Sequence, residues 1–212
     1  MSFLLVLSAP SGGGKTSIAR MLLELRTDLD YSVSATTRPK RNGERHGTDY
    51  YFLTQVEFED RRKSGDFLEW ARYSDQFYGT LKSEIERIFG SGRNAVLDVE
   101  IEGARQIRRS FRDSVHVFVL PPSAEVLVER LTGRKTEDPT LLKARLTRAA
   151  EELQAVAEYD YAIVNRDLPE AVAEISAILD RRGESRRVSS QPDLPGRVEK
   201  LRRDVMKAAE RI

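Results

Sequence analysis

The chain has 212 residues, of which 40% are hydrophobic and 33% charged, enough for one core domain with insertions or for two small domains. Its 35 basic and 34 acidic residues give a net charge of +1, which favours neither a nucleic-acid nor a membrane partner. The sequence lacks cysteine, which excludes disulfides, thiolate zinc sites and a cysteine nucleophile. Two histidines are too few for a histidine-rich metal site, and we expect a cytoplasmic protein.

The first half of the chain opens with an apolar run at residues 3–7, which predicts a buried parallel strand and is too short to span a membrane. A glycine cluster follows, and then a helical pattern with apolar residues at Ile18, Leu22, Leu25 and Leu29. Residues 31–52 are polar and aromatic. Thr54 and Glu57 have the spacing of a capping box, which predicts a helix that ends near Gly65.

The rest of the chain alternates between predicted strands and predicted helices. Strands are predicted at residues 95–99, 115–120 and 161–164. Helical patterns precede, separate and follow them, beginning at Leu81, Ala104, Ser123, Asp138 and Val172. This order predicts an α/β fold, a three-layer core with a parallel sheet and helices on both faces. Two stretches interrupt the order, residues 34–80 and 124–149, and we interpret both as mobile insertions.

The C-terminal residues 183–212 differ from the rest in composition. Residues 183–197 are polar and contain glycine and proline, which predicts a linker after a main domain at residues 1–182. An amphipathic helix is then predicted from apolar residues at Val198, Leu201, Val205, Ala208 and Ile212. We favour packing of this helix on its own domain. A dimerising coiled coil, and hence a homodimer, remains the alternative, because two heptads are too few to decide.

The segment Ser-Ala-Pro-Ser-Gly-Gly-Gly-Lys-Thr at residues 8–16 lies between the first predicted strand and helix. A turn this rich in glycine lets successive backbone N–H groups converge on a phosphate at a helix N-terminus. Lys15 is then suited to reach the β- and γ-phosphates, and the Thr16 hydroxyl to bind Mg²⁺. The strict motif has glycine where this chain has Ala9, a difference of one methyl group. The loop predicts ATP binding by Ala9, Pro10, Ser11, Gly12, Gly13, Gly14, Lys15 and Thr16.

Two further features suit phosphate chemistry. Asp98 ends an apolar strand, where a carboxylate is expected to face the phosphate loop and to hold Mg²⁺ through water. Residues 38–45 carry four basic side chains, which a nucleic-acid patch or a solvated loop would also explain. Phosphate recognition explains more, because Arg38 and Arg41 can form charge-assisted, bidentate bonds and Tyr50 supplies a neutral donor nearby.

A longer set of motifs resembles the guanylate kinase family. The motifs follow one another in the family's order across residues 4–180, which is about the whole family domain. Besides the phosphate loop they are Thr36-Thr37-Arg38-Pro39, Asp49-Tyr50, Phe67-Leu68-Glu69-Trp70, Tyr78-Gly79-Thr80, Leu97-Asp98-Val99-Glu100, Pro121-Pro122-Ser123, Arg130-Leu131-Thr132-Gly133-Arg134 and Ile163-Val164-Asn165. The resemblance implies a P-loop NTPase core that transfers the γ-phosphoryl group of ATP to GMP, and to dGMP, with Mg²⁺.

The resemblance also implies roles for particular residues. The GMP phosphate would be held by Arg38, Arg41, Tyr50 and Tyr78. The guanine ring would be read by Ser34, Glu69, Thr80 and Glu100. A carboxylate suits this task, because guanine presents N1–H and N2–H₂ donors on one edge. Taken singly, the two glutamates are equally explained by surface ion pairs and the two tyrosines by core packing.

On the ATP side, the resemblance implies that Arg134 and Arg145 belong to a lid at residues 124–149 that closes over the triphosphate. There they would stabilise the charge on the transferring phosphoryl group, together with Lys15 and Arg38. Asn165 would lie beside the adenine. The chain departs from the family pattern at Glu102, Lys135 and Arg166, and none of these departures removes a phosphate ligand.

Two other functions are consistent with parts of the pattern. A non-catalytic guanylate-kinase-like scaffold would bind a partner in the GMP cleft, but such a module is expected to have a degraded phosphate loop, and Lys15 and Thr16 are intact. A P-loop kinase for another small phosphate or sugar phosphate would not need Glu69 together with the two arginines. We therefore expect ATP and GMP as small-molecule partners, without nucleic acid or membrane.

Overall fold

A computed structural model of the chain describes residues 2–73, 75–133, 138–180 and 186–212. In chain order its strands are β1 (Leu4–Ser8), β2 (Leu29–Tyr31), β3 (Ser34–Thr36), β4 (Tyr51–Phe52), β5 (Phe67–Tyr73), β6 (Gln76–Leu81), β7 (Asn94–Asp98), β8 (Ser114–Leu120) and β9 (Tyr161–Val164). Its helices are α1 (Lys15–Leu25), α2 (Gln55–Lys63), α3 (Lys82–Gly90), α4 (Ile101–Ser110), α5 (Ala124–Thr132), α6 (Pro139–Glu152), α7 (Leu168–Leu179) and α8 (Leu194–Glu210).

The predicted α/β fold is confirmed. A five-stranded sheet has the order β2-β7-β1-β8-β9, and the pairs β2–β7 and β8–β9 run parallel. Leu4, Leu5, Val6 and Leu7 are completely buried, as the continuous apolar run predicts for a parallel strand covered on both faces. A second sheet, of four strands, has the order β4-β3-β6-β5 and contains antiparallel pairs.

The chain divides into two compact units, Met1–Val6 with Leu23–Val115 and Leu7–Leu22 with His116–Ile212. The first unit contains the whole four-stranded sheet, so the region predicted as an insertion at residues 34–80 has a sheet and a core of its own. In that core Phe58 of α2 stacks on Phe67 of β5 with ring centroids 4.4 Å apart. This aromatic contact joins α2 to β5.

Local capping signals locate several helix starts as predicted. Thr54 and Glu57 form both bonds of a capping box at the start of α2, and Gly65 follows that helix with φ of +74°. Ser123 caps α5 and Asp138 caps α6 through their side chains. Leu29 does not continue the first helix. It begins β2, because α1 ends at Leu25 and the chain turns there, with the Leu29 N–H donating to the Arg26 carbonyl.

In the second unit α8 packs against α5, α6 and the 3₁₀ segment Leu153–Glu158. It buries Leu194, Val205 and Ala209, at helical spacing. The helix begins at Leu194, four residues before its predicted apolar face, since Pro195 occupies its first turn. The tail helix therefore packs on its own chain. In the part of the chain that the structure describes, no helix has the length and apolarity needed to cross a bilayer.

The segment before α8 lies along β9, which is the last strand of its sheet. Arg187 forms an isolated antiparallel bridge with Tyr161, and the Val188 N–H donates to the Asp160 carbonyl. The Gln191 side-chain amide donates to the Ala162 carbonyl at 3.0 Å. The described residues 186–193 are thus docked rather than a free linker, which their polar composition did not predict because the contacts are made with residues distant in the sequence.

The packing of α8 yields a stability prediction. Val205 is completely buried, so Val205→Ala should lower the free energy of unfolding by about 1–3 kcal/mol through lost apolar contacts and a residual cavity. Val56→Ala is the matched control, since Val56 lies in α2 and is 70% exposed. Urea unfolding measures both variants. Equal effects of the two substitutions would contradict the observed packing of α8.

Candidate active site

The phosphate loop of the second unit has the backbone that its glycines predict. Gly12 and Gly14 have φ of +83° and +95°, a region that other residues rarely adopt. A Cβ at position 13 would lie 2.6 Å from the Ala9 Cβ and 2.9 Å from the Pro10 carbonyl oxygen. Ala9 therefore fits where the strict motif has glycine because Gly13 leaves space for its methyl group. The loop leads directly into α1, whose N-terminus favours an anion.

Lys15 and Thr16 begin α1. The Lys15 Nζ donates to the Ala9 carbonyl at 3.3 Å, so this side chain folds back along the loop. That bond is long for an ammonium group, which leaves the side chain suited to exchange a carbonyl for a phosphate oxygen. Thr16 is exposed.

Side chains from α6 and from the end of β9 contact the same loop. Arg145 donates from Nη2 to the Ser11 Oγ at 3.2 Å, which brings one predicted lid arginine to the phosphate loop. Asn165 is buried, and its amide donates to the Gly13 carbonyl at 3.0 Å. Arg130 donates to the Asn165 carbonyl at 3.1 Å. The other predicted lid arginine, Arg134, and the neighbouring departure at Lys135 lie outside the described residues.

The sequence did not predict a role for Glu152. This carboxylate near the end of α6 is buried and accepts a hydrogen bond from the Ser11 N–H at 3.1 Å. It also accepts a bond from Arg148 Nε at 2.8 Å. Glu152 therefore fixes the start of the phosphate loop. The only signal for it in the sequence is the four-residue spacing from Arg148, which is common on helix surfaces.

Three residues predicted to read the base lie in one row across the four-stranded sheet of the first unit. Ser34 of β3 is opposite Thr80 of β6, and Thr80 is opposite Glu69 of β5. Residues opposite one another in a sheet point to the same face. The Thr80 Oγ1 donates to the Glu69 Oε1 at 2.7 Å, and both side chains are buried.

A register shift in β5 gives Glu69 this orientation. Phe67 is opposite Leu81, but Glu69 is opposite Thr80, so β5 has one extra residue between the two pairs. Without this bulge Leu68 would be opposite Thr80, and Glu69 would point to the other face. The bulge thus lets Phe67 enter the core while Glu69 joins the polar row.

Within this row, Glu69 has a pKa that differs from its usual value. The pKa of the Glu69 carboxyl is raised to about 7, mainly by burial; the Thr80 hydrogen bonds oppose this shift, and the nearby Glu100 charge adds to it. Glu100 is half-buried at the start of α4. The fourth predicted base-reading residue is therefore close enough to act on Glu69 by charge.

The residues predicted to hold the GMP phosphate form a second group in the first unit. Arg38 lies over the Tyr50 ring, with its guanidinium carbon 5.2 Å from the centroid, and the Tyr50 and Tyr78 rings are 6.2 Å apart. Burial raises the pKa of the Tyr50 phenol, and the Asp98 charge adds to this effect, so Tyr50 is a neutral donor. Arg41 is exposed, and its backbone N–H donates to Glu44 at 2.8 Å.

Glu44 is a second residue that the sequence did not predict. Its carboxylate receives two bonds from the Arg38 guanidinium, at 3.1 and 2.7 Å. This bidentate pair holds the pKa of Glu44 below and that of Arg38 above their usual ranges, with the hydrogen bonds as the main cause. Glu44 thus occupies the donors that a phosphate would use. Its distance of six residues from Arg38 along the sequence did not distinguish it from other acidic residues in loops.

The oxygen donors that were predicted for Mg²⁺ are present in both units. Thr16 offers a hydroxyl at the start of α1, and Asp98 offers a half-buried carboxylate at the end of β7. Mg²⁺ prefers hard oxygen ligands and keeps several waters, so this donor chemistry fits the ion. Across the residues that the structure describes, no cluster of three or more His, Cys, Asp or Glu side chains could hold a metal ion.

Three comparisons with known proteins agree with one another. The family model described as guanylate kinase matches residues 1–182. The chain is 43% identical to a guanylate kinase from Syntrophotalea carbinolica over 176 residues, which are 83% of this chain and 84% of the relative. It is 45% identical to one from Symbiobacterium thermophilum over 176 residues, 83% of each chain. The crystal structure of guanylate kinase from Anaplasma phagocytophilum superposes with a TM-score of 0.71 at 34% identity, covering 93% of this chain and 96% of that one.

The altered pKa of Glu69 predicts a pH-dependent stability. A carboxyl with a raised folded-state pKa stabilises the fold at low pH, and this contribution is lost as pH rises from about 4.5 to about 7. Glu69→Gln removes the titration, so its stability relative to the unsubstituted protein should increase by about 2 kcal/mol between pH 5 and pH 8. Urea unfolding at both pH values measures the difference. Parallel pH profiles would show an ordinary pKa for Glu69.

Proposed function

Because the chain belongs to the guanylate kinase family, we propose that it transfers the γ-phosphoryl group of ATP to GMP, and to dGMP, giving ADP and GDP. The observation that carries this proposal is the row of Ser34, Thr80 and Glu69 in the first unit. Burying a carboxylate costs free energy, and recognition of a ligand explains why one stands at this position. The same unit holds the arginine and tyrosines expected to bind a phosphate.

Glu69 is suited to distinguish guanine from adenine. Guanine offers N1–H and N2–H₂, two donors that one carboxylate can accept together. Adenine offers an N1 lone pair on the same edge, which would face the carboxylate and leave a buried charge without compensation. Binding of guanine to Glu69 would also favour the ionised carboxylate and so lower its pKa. Ser34, Thr80 and Glu100 would add further polar contacts to the base.

The phosphate of GMP would be bound by Arg38, Arg41, Tyr50 and Tyr78. Arg38 would exchange the Glu44 carboxylate for phosphate oxygens, which have the same bidentate geometry. Tyr50 is half-buried and donates from a neutral phenol, so it can bind the dianion without charge repulsion. This set orients the GMP phosphate as the nucleophile. No nucleophilic side chain of the protein is required.

The ATP phosphates would be bound by the phosphate loop, with Lys15 on the β- and γ-phosphates and Asn165 beside the adenine. Arg145 already bonds Ser11 in the loop and would stabilise charge on the transferring group, as Arg134 would from the lid. Thr16 and, through water, Asp98 would hold Mg²⁺, which neutralises phosphate charge when bound. The chain's own residues position both phosphates for in-line transfer.

The remaining parts of the proposal concern organisation and setting. We propose a catalytic domain at residues 1–182, with a GMP-binding insertion at 34–80 and a lid at 124–149, followed by the tail at 183–212. The balanced charge and the lack of cysteine support a cytoplasmic enzyme that acts on small molecules, without nucleic acid or membrane. A homodimer through the tail is the alternative that sedimentation would detect.

Loss of the loop lysine tests the phosphoryl transfer. Lys15→Ala should lower kcat by at least about 10²-fold, because a charge that stabilises the transferring group is removed. Lys63→Ala is the control, since Lys63 is an exposed residue in the last turn of α2. Coupled ADP release measures both variants. Activity of the Lys15 variant close to that of its control would remove the phosphate-loop assignment.

Base recognition is tested by Glu69→Gln. This variant keeps the shape but replaces an acceptor by a donor, so kcat/KM for GMP should fall by about 10²-fold or more while that for AMP changes little. Glu102→Gln is the matched control, because Glu102 is an exposed carboxylate on α4. Assays with GMP, dGMP, AMP, CMP and UMP distinguish the proposed reaction from the two alternatives. These are a non-catalytic guanylate-kinase-like scaffold and a P-loop kinase that acts on another small phosphate. An unchanged GMP/AMP ratio would mean that Glu69 does not read the base.

A further inference from the structure

Gly103, in α4, lies against the Glu69 side chain. It is buried and lies in the first turn of this helix. A Cβ at this position would overlap the Glu69 Oε2 and would lie 3.0 Å from the Cδ and 3.5 Å from the Cγ of the same residue. Glycine is unfavourable in a helix relative to alanine. The space that glycine leaves at this point in α4 is taken by the end of the Glu69 side chain.

A second contact fixes α4 to the strand that carries Glu69. Gln106 is one helical turn after Gly103, on the same side of the helix. Its amide accepts a bond from the Trp70 N–H at 3.1 Å and donates one to the Trp70 carbonyl at 2.7 Å. β5 is at the end of the order β4-β3-β6-β5, so Gln106 takes the place of a neighbouring strand. The helix therefore cannot move away from Glu69 without breaking both bonds.

We propose that Gly103 is a positioning residue for guanine recognition. By lacking a side chain it allows the Glu69 carboxylate to lie between α4 and Thr80, in the row that faces the base. This inference rests on the proposed function, in which Glu69 reads guanine. Glu69 Oε1 accepts from Thr80, and Glu69 Oε2 lies over Gly103. Thr80 thus bonds one oxygen of the carboxylate, and Gly103 leaves space for the other.

An added methyl group at position 103 has an effect on function that differs from its effect on the fold. The atoms that it would meet belong to the far end of a flexible side chain and not to the backbone. The carboxylate can rotate away without a shift of the backbone, and the higher helix propensity of alanine offsets part of the cost of the lost Thr80 bond. Rotation breaks the Thr80 bond and removes the acceptors from the base. Guanine binding is therefore weakened in a protein that remains folded.

The test is Gly103→Ala, compared with Gly196→Ala in α8 and Gly90→Ala in α3, where a Cβ meets no atom within 4 Å. The Gly103 variant should raise the KM and the dissociation constant for GMP by about tenfold or more, while kcat at saturating GMP and the KM for ATP change less than about twofold. The ratio of kcat/KM for GMP to kcat/KM for AMP should therefore fall. Unchanged GMP binding, or equal losses in all three glycine variants, would overturn the inference.

Unfolding and a double-substitution cycle distinguish positioning from a structural role. The melting temperature of Gly103→Ala should stay within about 5 °C of that of the unsubstituted protein, and a larger decrease would overturn the inference. In a Glu69→Gln background, Gly103→Ala should lose most of its effect on GMP binding, because it acts through the same side chain. If Glu69→Gln alone leaves the GMP/AMP ratio unchanged, the proposed function fails. If Glu69→Gln lowers the ratio and Gly103→Ala does not, only the positioning role fails.

Discussion

The burial of one carboxylate, Glu69, is the constraint on which the first unit depends. A buried charge is tolerated only where neighbours compensate for it, and here the compensation comes from the Thr80 hydroxyl and from partial protonation. The bulge in β5 orients the carboxylate, and Gly103 leaves room for it. The amide of Gln106 then holds the backbone at the next residue. These features together fix the position of one side chain.

The second unit contains the loop proposed to bind phosphate, and the problem there is to gather backbone N–H groups around an anion. The solution depends on backbone conformation more than on charge, since Gly12 and Gly14 adopt left-handed angles and Gly13 accommodates Ala9. Side chains then hold the loop from outside, with Glu152 on the Ser11 N–H and Asn165 on the Gly13 carbonyl. The loop is therefore held at Ser11 and Gly13 by side chains from outside it.

The sequence predicted local features well and long-range contacts poorly. Capping residues such as Thr54, Ser123 and Asp138 mark helix starts because their bonds reach only two or three residues along the chain. The pairing of Arg38 with Glu44 and the contact of Glu152 with Ser11 depend on the folded chain, and no periodicity reports them. The β5 bulge was missed for the same reason, since register is a property of two strands. The residues proposed to read the base were identified through family resemblance, and their arrangement in one row required the structure.

The segment that follows α7 changes what the five-stranded sheet presents to other molecules. An outermost strand exposes N–H and C=O groups that can pair with another chain, which is a common start of aggregation. Arg187, Val188 and Gln191 bond to β9 and to the residue before it, and the Arg187 guanidinium lies 5.0 Å from the Tyr161 ring centroid. These residues lie beyond the segment 1–182 that the family model matches. The tail thus occupies part of the edge of β9, where another chain would otherwise find unpaired backbone groups.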